Sequence, residues 1–347
     1  MTVHADKPDI PPSLVVPHSE DAEETVERST GPRAQRRSLM RRAAELYYEQ
    51  SLSQQQIARI MGSSHSTISR LLSDARAEGI VRITIARATP TDPGLSRDLR
   101  RRFDLRDAGV VSAADTPEAE LRAVGTAAAD LLLALATNDV TIGITWGETM
   151  HHVVRALRPV PLRGVEVIQL SGSLGHGDLA TDGPRIAFHL AEALGGTCRL
   201  VPAPAMMETA EAASALLAQR QVREPIERAA EADIVVQGIG ALTAEGSSLE
   251  RAGYIDREQR LAAIEAGAVG HVFARMIDAE GRELPEWSAR VIGVPLEALP
   301  RAGWSLCVAA SSDKAPALVG ALRARLFNTV VVDERTARAV LALADGR

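Results

Sequence analysis

Two hydrophobic patterns divide the chain. From Ala108 onward, short apolar runs alternate with Ala-rich amphipathic segments, which is typical of parallel strands joined by helices. The runs that predict strands are Gly109–Ala113, Val140–Thr145, Val165–Leu170, Cys198–Val201, Ile234–Gln237, Val272–Ile277, Ser305–Ala310 and Thr329–Val332. The segments that predict helices include Leu121–Ala136, Glu148–Leu157, Arg185–Leu194, Arg257–Ala266, Ala315–Arg325 and Thr336–Ala344. We expect an α/β domain with a mainly parallel sheet covered on both faces.

The stretch Leu52–Leu72 has a different pattern, with two short amphipathic segments separated by Gly62. Ser53 and Gln56 are spaced as a capping box, in which each side chain satisfies a free backbone donor of the first turn. Two short helices joined by a tight turn predict a helix-turn-helix, whose second helix fits the major groove of DNA. An ordinary helical hairpin is the alternative.

The flanking segments favour the DNA-binding interpretation. Arg41–Glu49 predicts a preceding helix, and Ile80–Ile85 alternates apolar and polar residues like a strand. Together they predict an N-terminal winged helix-turn-helix domain over residues 35–87. The candidate DNA contacts are Gln54, Ser64, His65, Ser66, Thr67, Ser69, Arg70 and, on the wing, Arg82. Further arginines are expected to face phosphates, namely Arg36, Arg37, Arg41 and Arg42.

The distribution of charge supports this division. The formal charge of the chain is −6, yet residues 33–106 carry fifteen arginines against seven carboxylates. A basic segment attached to an acidic body suits a head that binds DNA and a body that stays off it. Residues 1–34, rich in proline and acidic residues, predict a disordered tail. Residues 88–106 predict a linker with a short basic helix, and residues 107–347 predict the α/β domain.

Composition excludes several classes of protein. The chain has two cysteines, which are too few for a disulfide framework, and no apolar run of about 18 residues that could span a membrane. Its first residues show no signal-peptide pattern. We therefore expect a cytoplasmic protein that does not contact a membrane.

Four loops, three of which contain glycine, follow predicted strands, where open parallel sheets bind ligands. Their candidate ligand-binding residues are Gly147 and Thr149, then Ser171, Gly172, Ser173, Leu174 and Gly175, then Gly238 and Gly240, and finally Lys314. The Ser171–Gly175 loop offers hydroxyls beside successive amides, so it is the favoured phosphate cradle. A glycine after a strand is also common as a simple turn.

Lys314 is unusual because the chain contains 37 arginines and only two lysines. A compact ammonium after a strand could bind a phosphate or carboxylate, or form a Schiff base with a carbonyl. A solvated surface charge is the plain alternative. No catalytic constellation stands out: His151 and His152 are poorly spaced for a metal, and His176 and Asp178 have no identifiable orienting partner. We expect no cofactor and no metal.

The sequence resembles the SorC family of bacterial transcriptional regulators, often grouped with DeoR-type repressors. The resemblance covers roughly residues 36–345. It rests on AAELYYEQSLSQQQIARIMGSSHSTISRLLSDARAEGIVRI in the first part. In the second it rests on ITWGETM, VIQLSGSLG, DIVVQGIGAL, AGYI, GAVGHVFARMID and DKAPALVGALRARLFNTVVVDERTA.

The resemblance implies a winged-helix head and a body similar to sugar-phosphate isomerase folds. It also implies a phosphorylated sugar or related metabolite as effector, and dimers or tetramers that bind palindromic double-stranded DNA operators. By position, Ser171–Gly175 resembles the family's phosphate loop, Lys314 its last-loop lysine, and Arg251 a basic effector contact. Four places depart from the family. The recognition helix has His65-Ser66 where Arg-Pro is common, and His271 stands where an acidic residue is common. Ala310, Ser311 and Ser312 precede the lysine where the family usually has a Gly pair, and Ser173 stands where a second Gly of the phosphate loop is usual.

Two functions follow from these patterns. The first is a non-enzymatic regulator whose operator affinity is controlled by a carbohydrate or phosphorylated sugar bound in residues 107–347, acting as a homodimer or homotetramer. The second is a sugar-phosphate isomerase-like enzyme that carries a DNA-binding head. The enzyme needs a carboxylate base near the loops, and Asp178 and Glu148 are the candidates.

Overall fold

The computed structural model describes residues 32–50, 52–78, 80–81, 89–175, 179–243 and 247–346. The chain divides into two compact units, residues 1–87 and 88–347. The helices are α1 (Pro32–Ala44), α2 (Gln54–Ile60), α3 (His65–Ala77), α4 (Pro93–Phe103), α5 (Pro117–Leu135), α6 (Glu148–Ala156), α7 (Gly183–Leu194), α8 (Ala210–Leu217), α9 (Arg220–Ala229), α10 (Ser248–Arg251), α11 (Arg257–Glu265), α12 (Pro285–Ser288), α13 (Ala315–Arg323) and α14 (Glu334–Ala344). The strands are β1 (Asp107–Val111), β2 (Thr141–Ile144), β3 (Glu166–Gln169), β4 (Thr197–Arg199), β5 (Ile234–Gln237), β6 (Gly270–Val272), β7 (Arg275–Ile277), β8 (Trp304–Ala309) and β9 (Thr329–Asp333).

The first unit contains α1 to α3, and α1 continues into a π-helical turn at Glu45–Glu49. The predicted capping box at the start of α2 is confirmed: the amide of Gln56 donates to the Ser53 hydroxyl, and the Ser53 amide donates to the Gln56 side chain. The helices enclose one small apolar core. Its largest fully buried members are Met40, Leu46, Ile57 and Ile68.

Most of the predicted wing strand, Ile80–Ile85, falls outside the residues that the structure describes. Ile80 and Val81 are described and pack against the small core, whereas Arg82 falls outside the described residues. The predicted first helix also begins earlier than expected, at Pro32 rather than at Arg41.

The second unit is built on a seven-stranded sheet, and the predicted mainly parallel arrangement is confirmed. Its strand order is β1-β9-β8-β5-β2-β3-β4, and all its pairings are parallel. Alternate residues of one strand enter two different cores: Val235 packs on one face, and Ile234 and Val236 pack on the other. Helices therefore cover both faces, as the nearly continuous apolar strands require.

One predicted strand is wrong. Val272–Ile277 does not join the parallel sheet; its residues belong to an antiparallel hairpin of β6 and β7. Phe273 and Ala274 form the turn with φ angles of +35° and +76°. Two successive positive φ angles match a tight hairpin turn, but neither residue is the glycine or asparagine that announces such a turn in a sequence.

Several short helices fall between the predicted elements, including α8, α9, α10 and α12. In the described residues, no helix combines the length and the hydropathy needed to cross a membrane.

Candidate functional site

A cavity of about 740 Å³ opens where several strands end, and it forms the candidate ligand site. Three of the four predicted loops line it: Thr145–Met150 after β2, Gly238–Gly240 after β5, and Ala310–Lys314 after β8. Asp333, the last residue of β9, lines it as well. Because β9, β8, β5 and β2 are consecutive in the sheet, their carboxyl ends gather these loops at one edge.

Lys314 and Thr149 meet in this cavity. The Nζ atom of Lys314 lies 3.4 Å from the Oγ1 atom of Thr149. Burial lowers the pKa of Lys314; the charges of Asp313 and Glu148 oppose this effect, and Arg251 adds to it. The ammonium group therefore lies in a polar, half-buried position, where interaction with an anion is stronger than in water.

Two loops at the cavity have positive φ angles, which glycine adopts readily and which strain other residues. Gly147 precedes α6 with a φ of +123°, and no side chain caps the helix. Ser311 has a φ of +98°, a conformation that side-chain-bearing residues rarely adopt. The Ser311 amide donates to Oδ2 of Asp333 at 3.0 Å, and this carboxylate also caps α14 through the Thr336 amide at 2.8 Å. The strained loop is thus fixed to the neighbouring strand.

Two glycines of the second loop differ in their surroundings. A Cβ atom on Gly240 would lie 2.0 Å from Nε2 of His271, which no real contact allows. A Cβ atom on Gly238 would meet its nearest neighbour, the Val308 carbonyl oxygen, at an ordinary 3.8 Å. Gly240 is therefore required by the close approach of the His271 ring, whereas Gly238 is not.

The structure does not bring the favoured phosphate cradle, Ser171–Gly175, to this cavity. The Gly172 and Ser173 amides donate to the Ile292 and Ala203 carbonyl oxygens at 2.9 Å each, and the Leu174 amide donates to Oδ1 of Asp182 at 2.9 Å. Those three amides hold the loop in place, so they do not serve an anion. The loop instead supports the cavity wall, because Ser171 accepts a hydrogen bond from the cavity-lining Trp146.

The cavity also contains charged groups that the sequence did not single out. Glu120 is buried and lies 3.4 Å from the Arg335 guanidinium; both line the cavity. Arg251, matched to the family by position only, lines it too. The position of Asp333 directly after a predicted strand could have indicated a cavity residue. Glu120 and Arg335 lie within helices, so their positions in the sequence do not indicate one.

Three further candidates of the sequence analysis are His151, His176 and Asp178. His176 and Asp178 are outside the described residues. His151 bonds through Nδ1 to the Ala180 carbonyl oxygen at 2.9 Å. Within the part of the chain that the structure describes, no group of His, Cys, Asp and Glu side chains is arranged to hold a metal ion.

The predicted recognition helix presents a polar face. His65, Ser66, Thr67, Ser69 and Arg70 are exposed, whereas the intervening Ile68 is fully buried. The hydroxyl of Ser64 accepts a hydrogen bond from the Thr67 amide at 3.2 Å and so caps α3. Arg36 forms an exposed ion pair of 2.5 Å with Asp74 on α3.

Comparison with known proteins identifies the class of this chain. The Sugar-bind family, which describes a sugar-binding domain, matches residues 92–342. The deoxyribonucleoside regulator of Bacillus subtilis (strain 168) is 30% identical over 313 residues, covering 88% of this chain and 98% of that protein. The transcriptional regulator LsrR of Enterobacter sp. (strain 638) is 31% identical over 310 residues, covering 88% and 93%.

A solved structure supports the same conclusion. The full-length sorbitol operon regulator SorC from Klebsiella pneumoniae matches with a TM-score of 0.67 and 25% identity, covering 88% of this chain and 98% of that one. The chain belongs to the SorC family of sugar-binding transcriptional regulators. It is a transcriptional regulator and not an enzyme, so the isomerase alternative is set aside.

Proposed function

We propose that this regulator binds operator DNA through α2 and α3 and changes its DNA affinity when a sugar or sugar phosphate occupies the cavity. The exposed polar face of α3 is suited to the major groove, because short hydroxyl groups and arginine read base edges and phosphates. We further propose that residues 80–87, including Arg82, complete a winged helix-turn-helix.

The observation that carries the effector site is the meeting of three loops and Arg251 around Lys314 in one cavity. Hydroxyl, ammonium and guanidinium groups suit a polyhydroxylated or phosphorylated carbohydrate. The named relatives support a carbohydrate-related effector, since one is a deoxyribonucleoside regulator and another a sorbitol operon regulator. The effector-binding residues that we retain are Gly147, Thr149, Gly238, Gly240, Arg251 and Lys314.

The mechanism that we propose is thermodynamic linkage. A homodimer or homotetramer places two recognition helices about 34 Å apart, one turn of DNA. An effector that binds more tightly to one arrangement of the subunits shifts the population toward it and so changes operator affinity. We also propose that the protein acts in the cytoplasm.

Footprinting of the full-length chain on genomic fragments tests DNA binding directly. We expect protected sites whose affinity falls steeply with salt, because phosphate contacts release counterions. Arg70→Ala should weaken protection, while the control Arg155→Ala, at an exposed position on α6, should leave it unchanged. Absence of protection at low salt, with and without candidate sugars, would contradict the proposal.

A further inference from the structure

His271 determines whether one wall of the cavity offers a hydrogen-bond donor or an acceptor. Its imidazole is buried, with 2% of its surface exposed, yet His271 reaches the cavity lining. The Nδ1 atom accepts a hydrogen bond from the Ala274 amide at 3.3 Å, and Nε2 lies 3.2 Å from Oγ of Ser248. Because a backbone N–H group can only donate, Nδ1 carries no hydrogen.

The remaining ring hydrogen must then be on Nε2. Burial, with a further contribution from the charge of Lys314, lowers the pKa of His271 to about 3, so the ring is neutral at neutral pH. A neutral imidazole has one N–H group, which here donates to the Ser248 oxygen. Among the described residues, the contact with His271 is the hydrogen bond that the Ser248 hydroxyl makes, and it uses the oxygen as acceptor, so the hydroxyl hydrogen is not used in it.

Two cations accompany this hydroxyl group. Arg251 lies three residues after Ser248 on α10, and both line the cavity. Lys314 also lines it; the charge of Arg251 lowers the pKa of Lys314, and the charge of Lys314 lowers the pKa of His271. Burial lowers the pKa of Lys314, and the carboxylates of Asp313 and Glu148 oppose this effect by favouring its charged form.

We propose that Ser248, oriented by His271, is a specificity-determining donor that binds an oxyanion group of the effector together with Arg251 and Lys314. The oxyanion is a phosphate or a carboxylate, since both offer acceptors only. The proposal rests on the proposed function, which assigns the effector to this cavity. An acidic residue at position 271, as is common in the resembled family, would accept the Ser248 hydrogen and give this wall the opposite polarity.

Isothermal titration of the full-length chain with three six-carbon probes tests the proposal. The probes are glucitol, which is neutral, gluconate, which carries a carboxylate, and glucose 6-phosphate. We expect gluconate or glucose 6-phosphate to bind at least about tenfold more tightly than glucitol, because charge-assisted hydrogen bonds are the stronger ones. The tighter of the two oxyanion probes identifies which group the site takes.

Matched variants separate this role from a structural one. Ser248→Ala should bind the oxyanion probe about tenfold more weakly than the wild type. Ser248→Thr keeps the hydroxyl group and should bind the probe with the wild-type affinity. His271→Gln keeps a neutral N–H donor toward Ser248 and should retain the preference for an oxyanion over glucitol; His271→Glu should lose it. Circular dichroism confirms that each variant is folded.

The proposal is overturned if Ser248→Ala binds the oxyanion probes as wild type does, if glucitol binds as tightly as both, or if neither oxyanion probe shows saturable binding. DNA protection that responds to glucitol in that case would leave the proposed function standing. Absence of DNA protection under every condition would remove the proposed function instead.

Discussion

The Nζ atom of Lys314 lies 3.4 Å from Oγ1 of Thr149 and so joins two loops that are 165 residues apart in the chain. This contact is possible because β2 and β8 flank β5 in the sheet, which brings their carboxyl ends close together. It places the single lysine of residues 8–347 at the strand edge where parallel sheets bind ligands.

Replacement of this lysine should abolish ligand binding without unfolding the protein. A ligand at a hundredfold excess over its dissociation constant stabilises the native state by about 2.7 kcal/mol. We expect that a sugar or sugar phosphate will raise the melting temperature of the wild type. The same ligand should leave the melting temperature of Lys314→Met unchanged. Arg155→Met removes a positive charge from an exposed position of α6 outside the cavity, and should respond like the wild type. An equal thermal shift in Lys314→Met would exclude the lysine from the site.

The two glycines of the second loop should respond differently to alanine. Gly240→Ala forces a methyl group against the His271 ring, and we expect it to destabilise the fold by about 1–3 kcal/mol, as overpacking does. Gly238→Ala meets only ordinary contacts and serves as the control, with a change below about 1 kcal/mol. Urea unfolding measures both, and equal midpoints for the two variants would refute the close approach.

His271 should make stability fall as the solution becomes acidic. Its pKa is about 3 in the folded protein, against an ordinary value of 6.5, so between these values the unfolded chain binds a proton that the folded chain does not. Stability is therefore retained above about pH 6.5 and decreases toward pH 3, by up to about 1.4 kcal/mol per pH unit. The His271→Gln variant has no side chain at this position that binds a proton in this pH range. Its unfolding free energy should fall less than that of the wild type between pH 7 and pH 5, and parallel profiles would contradict the buried neutral ring.

Replacement of Ser311 by glycine should stabilise the folded protein. Its φ of +98° is strained for a residue with a Cβ atom, and Ser311→Gly should stabilise the protein by about 1 kcal/mol after the added chain entropy is subtracted. Ser312→Gly, one residue later in a short 3₁₀ turn, is the matched control and should destabilise by about 0.5–1 kcal/mol. Chemical unfolding distinguishes them, and a loss of stability in both variants would argue against strain at Ser311.

Most of the fold follows from hydrophobic periodicity. Seven predicted runs occur as strands of the parallel sheet, because strands buried on both faces are apolar throughout. The prediction of one strand over Val272–Ile277 was wrong because Phe273 and Ala274 form a turn with positive φ angles, and neither residue type indicates such a turn in a sequence. Periodicity also gave no warning of α10 and α12, which contain four residues each.

The cavity was predictable in part. Loop position and residue type identified Thr149, Gly240 and Lys314, which the structure gathers at one site. The Ser171–Gly175 loop has the composition of an anion cradle, but composition does not reveal that its amides already have backbone and side-chain partners. The role of His271 depends on the tautomer fixed by the Ala274 amide, which only three-dimensional contacts show.

A titration of operator DNA with the full-length chain, with and without a saturating ligand identified by thermal shift, tests the central claim most directly. The DNA is a fragment selected by footprinting, and Lys314→Met is titrated in parallel. We predict that the ligand changes the DNA dissociation constant of the wild type by about 5- to 150-fold, the usual range of allosteric coupling. Lys314→Met should bind the same DNA with the affinity of the ligand-free wild type and show no response. A wild-type DNA affinity that is identical with and without saturating ligand would contradict the account.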